Sequence, residues 1–211
     1  VFQSHLPSES LQEAISTNPR GNLFEDVLDE STNLIDVCET IGDLLRRFKH
    51  RIEALESALR RGKGYSNWAM DVADYVSFRK QMKEELKKIM KLTKVKDTEI
   101  AQERGLKEMG FVRKANGINL CVLNSLLAFL SSSFSRKNKW GFVAKENTRI
   151  INVNEIERVD KAIEEKTVNF EVTKTELSEL VKRIEGMENS LECLRRRMIK
   201  IRALMLNFIS T

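Results

Sequence analysis

Only two prolines occur among 211 residues, Pro7 and Pro19, and both fall before residue 20. The rest of the chain is free of the residue that most strongly breaks a helix, because proline lacks an amide donor and clashes with the preceding turn. Histidine is as scarce, at His5 and His50, and neither lies near a cysteine in sequence. The spacings that hold zinc are therefore missing, and neither a metal site nor a cofactor is expected. Cys38, Cys121 and Cys193 are an odd number, far apart and set among apolar neighbours at helical spacing. That pattern reads as reduced core thiols, not a disulfide framework. Gly62-Lys63-Gly64 follows a helical pattern, so its neighbourhood presents carbonyls, the wrong pole for a phosphate. Bilayer-length apolar runs are lacking as well. The most apolar stretch, Ile118 to Leu130, has about thirteen residues and is interrupted by Asn119, Asn124 and Ser125, whereas a membrane helix needs ~20. Nor does a charged-then-apolar leader follow Val1, so no signal peptide is read and an upstream segment is expected.

Charge is plentiful but nearly balanced: 36 basic against 31 acidic residues leave a net +5. Lys83, Lys87, Lys88 and Lys91 alternate with Glu84 and Glu85 without interleaved aromatics, which fits a solvated helix face and not a nucleic-acid stripe. Catalysis finds no starting point, since no nucleophile with a nearby base can be nominated, and acidic neighbours such as Glu164 and Glu165 point to different helix azimuths. The expectation is a protein without enzymatic activity and without nucleic-acid partners.

What is present is helical periodicity. From Asn22, the positions Phe24, Val27, Leu34, Cys38, Ile41, Leu45, Phe48, Ile52, Leu55 and Leu59 recur in steps of three and four, with Ser31 the one polar intruder. A stop follows at the two glycines of residues 62–64. Ser66 or Asn67 can cap a second helix whose inward face would be Trp68, Val72, Tyr75, Met82, Leu86 and Ile89. The run Ile118 to Leu130 reads as a third helix, buried on most sides. Toward the C-terminus, Ile156, Ile163, Phe170, Leu177, Ile184, Leu191, Met198 and Met205 form one seam, and Val159, Leu180, Met187, Leu194, Ile201 and Phe208 a second, broken only by Lys166 and Thr173. This predicts one very long helix, ~80 Å at ~1.5 Å per residue. The fold class is all-α: an elongated antiparallel bundle of about four main helices with coiled-coil-like packing. Its organisation is a loose lead-in over 1–21 and one helical domain over 22–211. The helices are expected at roughly 22–61, 67–92, 98–134 and 152–209, with an exposed loop over 135–150.

Five segments in order resemble the plant domain-of-unknown-function family 241, whose members include the BYPASS-related proteins. They are Leu34-Ile35-Asp36-Val37-Cys38, Leu55 to Gly62, Tyr75 to Lys80, Leu123 to Ser131, and the tail Arg196 to Asn207. The resemblance implies a role in root and shoot development, links of some members with membranes or the secretory machinery, and a further serine-rich N-terminal region with another helix. The family carries no established biochemical activity, so no catalytic residue can be transferred.

Two features remain as candidate contact sites. Arg195, Arg196 and Arg197, with Lys200 and Arg202, form the densest basic cluster, and Trp140 and Phe142 sit in the expected loop. Either could face a protein partner, an anionic membrane or a second copy of the chain. The first reading is a scaffold or regulator that presents helix faces to another protein, intracellular and cytoplasmic; the alternative is a peripheral protein holding its basic C-terminal face against anionic lipid.

Overall fold

A computed structural model describes residues 19–61, 65–93, 107–136, 154–164 and 169–209. These form five helices: α1 Pro19–Arg60, α2 Tyr65–Leu92, α3 Lys107–Arg136, α4 Glu155–Glu164 and α5 Phe170–Ile209, with no strand among the described residues. The all-α bundle is what the periodicity predicted. α1 begins earlier than expected, because Pro19 can occupy the first helical turn, where an amide donor has no intrahelical partner. Residues 19–21 of the expected lead-in are thus helical. α2 also begins before both proposed caps, at Tyr65.

α1 is the central element, 42 residues and ~63 Å long at ~1.5 Å per residue, and it packs against α2, α3 and α5. Ion pairs Arg47–Glu85 and Arg51–Asp74 make α1 and α2 antiparallel. Lys49 reaches Glu188 at 2.6 Å while Val27 clusters with Met205, so α5 also runs antiparallel to α1. α3 runs parallel to α1, with Val27 beside Val112 and Ser31 bonded to Asn116. The α1 seam lies on the core side almost in full: Val27, Leu34, Cys38, Ile41, Leu45, Phe48, Ile52 and Leu55 are buried. Ser31 is buried too. It accepts a hydrogen bond from Asn116 Nδ2 at 3.1 Å, so the polar intruder is one half of a satisfied pair that fixes how α1 and α3 register.

The predicted single helix over 152–209 is two helices. Arg158 on α4 contacts Glu176 and donates to Glu179 on α5 at 3.1 Å. Within one continuous helix these residues would lie ~27–32 Å apart at ~1.5 Å per residue, so the chain must reverse. Both helices open on an asparagine cap. Asn154 Oδ1 accepts from the Glu157 amide at 2.9 Å, and Asn169 Oδ1 accepts from the Val172 amide at 3.3 Å. The reversal falls between Glu164 and Phe170, at the Lys166 break of the second seam, whereas Thr173, the other break, is a buried position within α5. Folding α4 back lets Ile156, Val159 and Ile163 enter the same core as Leu177, Leu180 and Ile184.

α3 also differs from expectation. Leu123, Leu127 and Leu130 are buried, but Phe111, Ile118 and Val122 are exposed, so the helix buries one side only. Most apolar burial falls in one core shared by all five helices. A second, small cluster of Val27, Val112 and Met205 closes the end where α1 and α3 begin and α5 finishes.

Candidate interaction surface

The basic cluster on α5 is less bare than its sequence suggests. Glu192, one turn back, accepts from Arg195 at 3.0 Å and from Arg196 at 2.6 Å. Those two hydrogen bonds hold the Glu192 carboxyl below the usual carboxylate range, and the bond to Glu192 raises Arg195 in turn. Because these groups are solvated, the pairing mainly cancels local charge and adds little stability. Arg195 leans over the α1 face at Cys38, Glu39 and Gly42. Arg202 is half-buried, with its Nε enclosed and without a hydrogen-bond partner. Arg197 and Lys200 are exposed, and they carry the cluster's outward positive charge.

Beside them, Ile199, Leu204 and Leu206 are exposed while Met198 and Met205 are buried. The last two turns of α5 therefore present apolar groups outward as well as inward. Buried Met205 sits against Val27 and Val112, so this segment is docked onto the bundle and does not project beyond it. Trp140 and Phe142 lie outside the described residues, as do residues 137–150 of the expected loop.

Elsewhere the ionisable groups serve packing. Burial pushes the Cys38 thiol up to about 12, against the lowering effect of Arg195, so it stays protonated and non-nucleophilic at neutral pH. Cys121 and Cys193 are exposed, contrary to their expected place in the core. Tyr75 is buried and donates to Asp160 Oδ1 at 2.7 Å, and Arg79 reaches the same carboxylate at 3.4 and 3.2 Å. This network ties α2 to α4. Asp160 stands four residues after Ile156 and three before Ile163, both buried, so its inward position was available from helical spacing once a separate short helix was recognised. Among the described residues no group of three or more His, Cys, Asp or Glu could hold a metal ion, and no helix is long and apolar enough to cross a membrane.

Burial, and then the Asp160 carboxylate, raise the Tyr75 hydroxyl well above its ordinary 10.0. A group whose folded value is raised lends stability that is full below the unfolded value and is lost as pH rises through the folded one. Unfolding free energy is thus expected to fall above about pH 10. Tyr75→Phe should flatten that alkaline slope and lower neutral stability by about 1 kcal/mol, read from urea midpoints at neutral and alkaline pH.

A family model described as Protein BPS1 matches residues 1–208. No curated protein and no solved structure matches the chain.

Proposed function

This chain belongs to the BPS1 family, and from that premise we propose that it is a non-enzymatic helical scaffold or regulator in plant root and shoot development, acting by protein–protein contact. One observation carries the location of the contact: Ile199 and Leu204 stand exposed beside the exposed Arg197 and Lys200 on the last turns of α5. Apolar groups next to unpaired cations on a rigid helix favour a partner with an apolar centre and acidic flanks. The bundle supports that role by fixing the segment through Met198 and Met205 on its other side.

Truncating the helix would remove those buried anchors, so point substitutions are the better test. With the full chain as bait in plant root extract, Ile199→Asp with Leu204→Asp is expected to lose a retained protein while the circular dichroism spectrum and Tm stay unchanged. Retention by the variant would remove this surface from consideration.

The same cations favour a second reading, an anionic bilayer. That reading requires pelleting with anionic but not neutral vesicles, weakened by salt and abolished by Arg197→Glu with Lys200→Glu.

A further inference from the structure

The outer face of α3 is unlike the outer face of α1. Exposed positions along α1 include Glu25, Asp26, Asp29, Glu30, Asp36, Glu39, Asp43, Arg46 and Arg47, as expected of a solvated helix. On α3, the line directly opposite the buried Val112, Asn116, Leu123 and Leu127 reads Phe111, Lys114, Gly117, Ile118, Cys121, Val122, Ser125 and Ala128. Lys114 is its only charge. Phe111 is 70%, Ile118 65% and Val122 51% exposed. From Met109 to Ser135 the helix contains no carboxylate at all. A shallow apolar groove runs along this line from Lys114 to Ser125.

Gly117 lies on the same line, and a Cβ built there meets nothing within 4 Å, as at Gly110 and Gly186, so the position leaves open space in which another backbone could approach closely.

We propose that this face is a self-association surface, on which two copies pack α3 against α3 in antiparallel fashion about a two-fold axis level with Asn119 and Leu120. A two-fold there maps the exposed set onto itself, which is what an isologous interface demands. Phe111 falls opposite Ala128 of the second copy, Ile118 opposite Cys121, and Val122 opposite Gly117, each larger group meeting a smaller one. Lys114 falls opposite Ser125, and the two copies of Lys114 stand ~16 Å apart along the axis, beyond a Debye length. Electrostatics therefore does not oppose the pairing, and no carboxylate is desolvated by it. One helix pair of this length buries on the order of several hundred Å² per partner, at or below the low end for specific interfaces, so the dimer is a weak one. This goes beyond the contact proposed on α5, which uses other residues.

The test is sedimentation velocity on the full chain from about 1 to 100 μM, a range set by that weak-interface expectation. Wild type should shift from monomer to dimer. Gly117→Leu and Ile118→Glu should stay monomeric throughout with undiminished Tm, since neither position has core contacts to lose. In a Cys121→Ser, Cys193→Ser background, Lys114→Cys with Ser125→Cys should give a covalent dimer on mild oxidation, and Lys114→Cys alone should not. A wild type that stays monomeric at every concentration, a dimer that survives Ile118→Glu, or equal cross-linking by Lys114→Cys alone would each overturn the proposal. Monomeric wild type whose vesicle binding is lost in Ile118→Glu would overturn it in favour of lipid on this face.

Discussion

Asp160→Ala is expected to destabilise the bundle by about 3–5 kcal/mol, the range for breaking a buried ion pair from one side. The Arg79 and Asp160 side chains are only 6% and 15% exposed. Removing the carboxylate takes away the acceptor of the Tyr75 hydroxyl and of two guanidinium nitrogens at once. The buried cation then loses its anionic partner, and its desolvation cost is no longer offset by that charge. Exposed pairs such as Arg46–Asp43 belong to another regime, worth about 0–1 kcal/mol. Urea unfolding separates the two: Asp43→Ala should leave the midpoint almost in place, while Asp160→Ala should shift it strongly. A combined Arg79→Met and Asp160→Leu protein should regain most of the loss, because apolar packing can replace a buried pair. If Asp160→Ala behaved like Asp43→Ala, the network would be solvated in solution.

Phe48→Ala should cost about 4 kcal/mol, within the range for deleting a buried aromatic and leaving a cavity. Phe48 is fully buried in the C-terminal half of α1. Its ring lies 6.0 Å from that of Phe78 and 6.4 Å from that of Tyr75, and the Arg79 guanidinium sits 5.2 Å from its centroid. One side chain therefore joins the α1–α2 contact to the polar network on α4. Against a typical stability of about 5–15 kcal/mol, such a loss brings the variant close to its unfolding threshold. Phe48→Leu, which keeps most of the volume, should lose much less. Because Phe48 and Asp160 both act on Arg79, their losses should not add; the cycle through the double variant should show coupling of about 0.5–3 kcal/mol. Strict additivity would mean that the aromatic and ionic contacts are energetically separate.

The helix seams were legible because burial on one side of a helix imposes a three-four repeat whatever the partner. That is why nearly every apolar position chosen on α1 lies in the core, and why the all-α bundle could be read from pattern alone. Two things escaped the pattern. Across the α4–α5 reversal the sequence spacing Ile163, Phe170, Leu177 continues unbroken, and spacing alone cannot distinguish a continuous helix from two; in the structure Phe170 is exposed and the buried seam resumes at Leu177. Asn154 and Asn169 were the available signals, each an asparagine ahead of an amphipathic run. On α3, apolar residues on both sides read as full burial, yet among the described residues only one side is buried. Hydropathy reports that a face is apolar and not what covers it. The basic residues of α5 could be located, but the local pairing of Arg195 and Arg196 with Glu192 depends on side-chain geometry.

The antiparallel pairing of α1 with α5 also bears on how the protein is made. Lys49 and Glu188, in contact at 2.6 Å, are separated by 139 residues. A ribosome adding about 5–20 residues per second takes roughly 7–28 s to bring the second to synthesis after the first. During that interval the nascent chain carries the α1 seam without its longest partner, and closing so large a loop is entropically slow. Chaperone engagement of the nascent chain should therefore concentrate on α1 and decline once α5 has emerged.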